Sequence, residues 1–358
     1  MVIATGARGF IHYDFEDDVQ SSVLVNTYGA NSSLASGGNG KRFGLQEKIT
    51  TWTLNNSRIN LATLNQVELE SYAYGQEQGS LNVGFVLSNP WLFGAIYGAP
   101  VSVTSSAPEV HTFSKVANNT KEVRSFAIAV GLDFPSGQVT RTLKGCILRS
   151  FTIGTSVGAI VDCTADIAYS DEDAPDTSTA LTAPVKPTTK FPYTFAHGTL
   201  KKYDPTGSSG NQASQIVAKI QSVNLTFNQN PDMLWGLGSH QSVDAFRRVF
   251  DITGDFQASW VNTTLLSNIL NQVKAGTGGL FEETLADAPS HSGVELELEF
   301  SNGLAAAARR TIKITLTGVS PTEHSVAGLE PVEPVFESIT WQAKSAVIIA
   351  ENAETAEP

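Results

Sequence analysis

The sequence predicts a mainly β protein made of two tandem, related β-sandwich or barrel domains, each with one short flanking α-helix. Three observations carry that expectation. Short segments alternate apolar and polar residues, which is the period of a half-buried strand. Gly, Ser, Thr and Asn gather between those segments, as turns require. Finally, a strand-then-helix unit at Gly79 to Tyr97 returns in altered form at Gly254 to Leu270, about half the chain further on.

In the first copy Leu81, Val83 and Phe85 alternate with polar or small residues, and in the second Phe256, Ala258 and Trp260 do so. Both copies then switch to helical spacing, with Leu92, Phe93 and Ile96 in one and Leu265, Leu266 and Ile269 in the other. Ser88 or Asn89 before Pro90, and Asn262 to Thr264, suit helix starts. These six apolar residues are expected to cover the sheet and are candidates for an inter-subunit helix or strand core.

Taken in order, Ile11 to Phe15 and Ser22 to Tyr28 read as strands, and residues 30–41 as a loop. Strands follow at Lys48 to Asn56, Val67 to Tyr74 and the Gly79 unit. Pro100 to Asn119 reads as a loop, and Ser125 to Phe134 as a buried strand. Leu143 to Ile153 and Ala159 to Tyr169 form a hairpin around Gly154 to Gly158. Four prolines and almost no large apolar residue mark Ser170 to Pro192 as a linker or arm. The expected division is a first domain at 1–170, a linker at 171–192, a second domain at 193–350 and an acidic tail at 351–358. The second half repeats the first: Lys219 to Asn230 parallels Lys48 to Ser57, and Val335 to Ala343 parallels the strand beginning near Val161.

A length of 358 residues suffices for two ordinary domains. The net charge of −12 argues against a general nucleic-acid binder, because phosphate contacts need an excess of Lys and Arg. Two cysteines exclude a disulfide scaffold; Cys146 and Cys163 are expected reduced and packed, with a bridge across the hairpin left open. No apolar run reaches the length of a membrane span and no signal-peptide pattern opens the chain, so a soluble protein without a membrane partner is expected.

No catalytic or metal constellation emerges, and neither an enzyme nor a cofactor is expected. His12, His111, His197, His240, His291 and His324 are scattered, without a second ligand at zinc spacing. The acidic run Ser170 to Asp176 lacks the turn glycine and terminal glutamate of a calcium loop. Gly-Leu-Gly-Ser-His240 places a serine beside a histidine but forms no nucleophile elbow, and reads as a turn after Trp235.

The segments Lys144 to Ile153 and Val161 to Tyr169, with Ile220 to Asn230 and Gly254 to Trp260, resemble the tail tube proteins of long-tailed viruses of bacteria or archaea. The resemblance spans roughly Leu45 to Ala343 and rests on strand-and-turn patterns, not on a catalytic signature. It implies a virion structural protein, assembled in the host cytoplasm, whose rings stack into a conduit for DNA. With two tube domains per chain it implies homotrimeric pseudo-hexameric rings, a hexamer of whole chains being the fallback. Double-stranded DNA passing through without specific binding, a tape-measure protein, and tail-terminator or tip proteins are the implied partners.

A bore for DNA should avoid a cationic wall. The candidates for its lining are Asp162, Thr164 and Asp166, which oppose Cys163, Ala165 and Ile167, and Glu295, Glu297 and Glu299, which oppose Leu296, Leu298 and Phe300. The competing assignment for each strand is an ordinary solvated outer face. Rival functions are a capsid decoration or baseplate component, and a carbohydrate-binding module using Trp52, Trp91 or Trp235.

Overall fold

The computed structural model describes residues 9–20, 23–26, 40–61, 71–98, 102–104, 109–115, 124–134, 137–173, 192–203, 215–216, 220–259, 294–304, 309–327 and 334–352. Strands dominate. In chain order β1 (Gly9–Phe15), β2 (Asp17–Gln20), β3 (Val23–Asn26), β4 (Leu45–Leu61) and β5 (Ser71–Val86) precede the short helix α1 (Gly94–Tyr97). β6 (Ser102–Thr104), β7 (Glu109–Ser114), β8 (Phe126–Phe134), β9 (Gly137–Ser156), β10 (Asp162–Tyr169) and β11 (Asp171–Glu172) follow it. Next come β12 (Thr199–Tyr203), β13 (Gln215–Ile216), β14 (Ile220–Asn228), β15 (Pro231–Trp235), β16 (Ser242–Arg247) and β17 (Asp251–Ser259). β18 (Val294–Ser301), β19 (Thr311–Ala327), β20 (Phe336–Ala343) and β21 (Ser345–Asn352) complete the order.

Seventeen of these strands join one large antiparallel sheet, while β2–β3 and β15–β16 stand as separate hairpins. Within the large sheet, eight strands follow one another as β4-β5-β10-β9-β14-β17-β20-β19. Two further rows run β1-β8-β9-β11 and β12-β18-β19-β21-β7-β6. Two strands therefore serve two rows each. The first part of β9 pairs with β8 and β11, the rest with β10 and β14; β19 likewise pairs with β18 and β21 up to Val319 and with β20 beyond it. Gly145 (φ 58°) and Gly318 (φ 65°) sit at these changes of row, where the backbone needs the left-handed region that glycine enters freely.

The core lies against the inward side of the eight-strand row. On β10, Cys163, Ala165, Ile167 and Tyr169 are buried while Asp162 and Thr164 are exposed, as alternation requires. Phe93 sits at the hub of an aromatic cluster, 5.5 Å from Phe151, 6.2 Å from Phe227 and 6.3 Å from Phe113 between ring centroids. Burying each such ring stabilises the fold by about 1.5–3 kcal/mol. Both cysteines are free and buried, and burial raises both thiols well above their usual pKa.

The large sheet and one short helix correct several local expectations. From Ser71 the predicted strand at Val67 to Tyr74 runs without a break into the one at Gly79, as β5; residues 67–70 lie outside the described residues. The predicted loop at Pro100 to Asn119 contains β6 and β7, and β7 pairs with β21, a strand at the far end of the chain. The predicted linker begins inside the sheet, since Asp171 and Glu172 still pair with Lys144 and Leu143. The turn after Trp235 occurs where expected, and the hairpin expected around Gly154 to Gly158 is present with a shorter turn, since Gly154 is still paired with Asp162 and β9 runs to Ser156. The predicted second helix, with Leu265, Leu266 and Ile269, lies outside the described residues.

Candidate functional site

The outward face of the eight-strand row is a continuous polar wall. Paired residues in adjacent strands share a face, so the ladders trace it directly. Thr53 lies opposite Ser80, Asp166 opposite Asn82, Thr164 opposite Thr152, Thr152 opposite Thr226, Asn224 opposite Asp255, and Asp255 opposite Thr340. Side chains bond along this wall: Thr53 Oγ1 to Ser80 Oγ at 2.7 Å, Thr152 Oγ1 to Thr226 Oγ1 at 3.0 Å, and Asn224 Nδ2 to Asp255 Oδ2 at 3.1 Å. The wall crosses from β9 to β14 without a break, because seven residue pairs from Ser222–Ser156 to Asn228–Ser150 join the two strands.

Asp162, Thr164 and Asp166 sit in the middle of this wall. Glu295, Glu297 and Glu299 do not share it. β18 pairs with β12 and β19 in a different row. Glu297 is only 2 % exposed and its carboxylate lies 2.5 Å from Lys313 Nζ, while Glu299 lies 3.1 Å from Arg309. Alternation along β18 sets the glutamates opposite Leu296, Leu298 and Phe300, but it cannot say that Glu297 is buried against a lysine of the next strand.

Leu92, Phe93 and Ile96 are all buried inside the chain. Asn89 Oδ1 accepts the Trp91 N–H at 3.2 Å and starts the turn that leads into α1. The carbonyl of Ala95 accepts from Gln229 Nε2 at 3.0 Å, and the carbonyl of Ile96 accepts from Arg247 Nη2 at 2.5 Å. The helix thus ties the β5 side of the sheet to the β14–β16 side of the same chain. Burial lowers the Arg247 pKa, and Tyr97 opposes that shift.

Two outer edges of the row carry no partner among the described strands. β4 pairs only with β5, and β19 from Ser320 to Ala327 pairs only with β20. Beside the β4 edge opens a groove of about 440 Å³ lined by Phe10, Ile11, Ile49, Trp52, Val130 and Leu132. Leu54, on the same edge strand, is 42 % exposed. By contrast, β14 has strands on both sides, and its Val223 and Leu225 are buried.

The three tryptophans available to a sugar-binding reading form no open platform. Trp91 is buried, Trp52 stacks under the Arg141 guanidinium and donates to Tyr169 Oη at 3.1 Å, and Trp235 packs on the cluster of Ile147, Ala168, Met233 and Ala245. Among the described residues no group of three or more His, Cys, Asp or Glu is placed to hold a metal. No described helix is long and apolar enough to cross a membrane.

Among the described residues, a polar wall flanked by two strand edges without a strand partner is the geometry of a surface built to meet other chains, the arrangement of a structural protein. A family model described as phage tail tube protein matches residues 68–343. The chain belongs to the phage tail tube protein family, and it is a non-enzymatic structural component of the virion tail. No curated protein matches the chain.

Proposed function

We propose that three copies of this chain close into a pseudo-six-fold ring, and that the polar wall of the eight-strand row lines the bore. The observation that carries this reading is the order of the strands. The row consists of two successive quartets, β4-β5-β10-β9 and β14-β17-β20-β19. Each quartet has the same plan: a first strand, a second beside it, and then a late hairpin whose closing strand comes next in space. A duplicated domain accounts for that plan, with β9–β14 as the seam between copies. The unpaired edges of β4 and β19 then match a seam between chains, and closure removes both edges.

Size favours three chains. Three eight-strand rows make a barrel of about 24 strands; at about 4.8 Å per strand and about 40° of tilt, its inner bore is about 40 Å after side chains. That is wide enough for a DNA duplex. Six whole chains would give a bore about twice as wide. A wall of hydroxyls, amides and carboxylates holds no phosphate, so a duplex would pass without being retained. Stacked rings would form the conduit for DNA ejection and would enclose a tape-measure protein during assembly, with terminator and tip proteins at the ends. The mass of the assembled ring in native mass spectrometry is the test: three chains are expected, and a ring of six overturns the duplicated-domain reading.

A further inference from the structure

Among the described residues, exposed large apolar side chains are concentrated in one place. Eight large ones are exposed among the described residues, and five of them, Leu234, Leu237, Val243, Phe246 and Val249, lie on or beside the β15–β16 hairpin. The hairpin is not a loose flap that could fold these groups away. Its inner side chains, Met233 and Ala245, are buried on Ile147 and Ala168. Ser170 Oγ donates to the Ser242 carbonyl at 3.1 Å, the Glu77 N–H donates to the His240 carbonyl at 2.8 Å, and Arg247 Nη2 reaches Gln229 Oε1 at 2.7 Å. The outer side is therefore held open as a fixed apolar ridge.

The ridge lies at one end of the strands. It follows β14 beyond Asn228, beside the end of β10 at Tyr169 and beside Ile147, where β9 enters the eight-strand row, and the exposed Leu54 and Ile59 of β4 lie toward the same end. At the opposite end, the turn between β9 and β10 carries the remaining exposed apolar residue, Val157, at 56 %. Apolar exposure is thus sorted along the strand direction. If the strands line a bore, their two ends are the two faces of the ring.

We infer that the outer side of the β15–β16 hairpin is the ring-to-ring contact. It would seat a second copy of this chain, head to tail, on the end that bears Val157. This rests on the ring reading above. A rigid apolar patch of this kind is expected to be covered in the working assembly, and two unlike faces meeting give an open, growing stack instead of a closed pair. The hairpin continues directly from the β9–β14 seam, so a contact made there is braced by the ring itself.

The test compares the wild-type chain with Leu237→Asp/Val243→Asp, with Val157→Asp, and with the milder Val243→Ser. Native mass spectrometry gives ring mass, negative-stain imaging gives tube length, and the unfolding midpoint confirms folding. Rings of unchanged mass that need at least tenfold more protein to form tubes are expected for both aspartate variants, with a smaller shift for Val243→Ser. Tubes formed at the wild-type concentration overturn the contact. Folded variants that lose the ring as well as the tube place the ridge inside the ring and also overturn it. A wild-type chain that forms no ring defeats the ring reading and this contact together.

Discussion

Gly79 and Tyr169 face each other across the β5–β10 ladder so closely that a Cβ on Gly79 would stand 1.9 Å from the phenol ring. Tyr169 lies across the glycine and donates its hydroxyl to the Thr53 carbonyl at 3.1 Å, thereby binding three strands together. The same device recurs across the β17–β20 ladder, where a Cβ on Gly254 would stand 2.2 Å from the Trp341 ring and 2.6 Å from the Asn224 carbonyl. Both rings are buried.

Gly254→Ala and Gly79→Ala should each destabilise the fold by about 1–3 kcal/mol, the usual effect of overpacking a filled core. Gly254 should be the more sensitive position, since one of its close neighbours is backbone and cannot rotate away. Urea unfolding of the two variants measures the loss; a change below a few tenths of a kcal/mol at Gly254 would show that Trp341 repacks freely.

The matched glycines also set a register. Leu54 faces Gly79 as Leu225 faces Gly254, and Asp166 faces Ser150 as Ser338 faces Ser325. In the proposed ring, carrying the Phe151–Phe227 and Ser150–Asn228 pairs to the edges of β4 and β19 would put Val326 opposite Asn56 and Ser325 opposite Ser57 of the next chain. An Asn56→Cys/Val326→Cys variant should therefore give chains linked in a closed ring under oxidation, seen as a ladder on a non-reducing gel. Asn56→Cys/Ser325→Cys should link poorly, because a one-residue slip turns the side chains to opposite faces. Equal linking by both would show that the edges have no fixed register.

The polar wall can be reversed in sign. Asp162→Lys/Asp166→Lys should leave ring mass unchanged while creating DNA retention that falls steeply with salt, by about 0.9 in the log–log slope per phosphate contact. Filter binding at several salt concentrations reads this directly. If the double variant ignores DNA while its rings form, these residues do not face the bore.

His12 predicts a pH dependence. It is buried, neither ring nitrogen has a hydrogen-bond partner, and burial lowers its pKa from 6.5 to about 4, with Asp14 opposing the shift. The folded state therefore favours the neutral ring, whereas the unfolded chain takes up a proton below about 6.5. Above that pH the group is indifferent; from about 6.5 down to about 4 its effect on stability falls by about 3 kcal/mol, and below that it is flat. His12→Gln should reduce the loss of stability between pH 7 and pH 4 by an amount of that order, measured by urea unfolding at both pH values. An unchanged pH slope would mean that the ring reaches solvent in the folded state.

The strands that could be read from sequence were those buried on one face only. β17, and β10 as far as Ile167, alternate cleanly because one side is core and the other is the polar wall. β6, β7 and β21 were missed for a different reason: β7 is stabilised by pairing with a strand more than two hundred residues away, and nothing local marks it. The three glutamates of β18 show the same limit. Periodicity says which residues point together, but only the neighbouring strand decides whether they meet water or a lysine. The apolar ridge on β15–β16 has no signature in the sequence, because its residues, read singly, look like those of any short strand.

β9 and β19 each leave one row and enter another without a break in the chain. Load carried by the eight-strand row is therefore handed along covalent backbone to the rows that share β9 and β19, and the rows cannot shear past one another. A shaft assembled from such stiff units should bend like a string of vertebrae, with its suppleness confined to the joints.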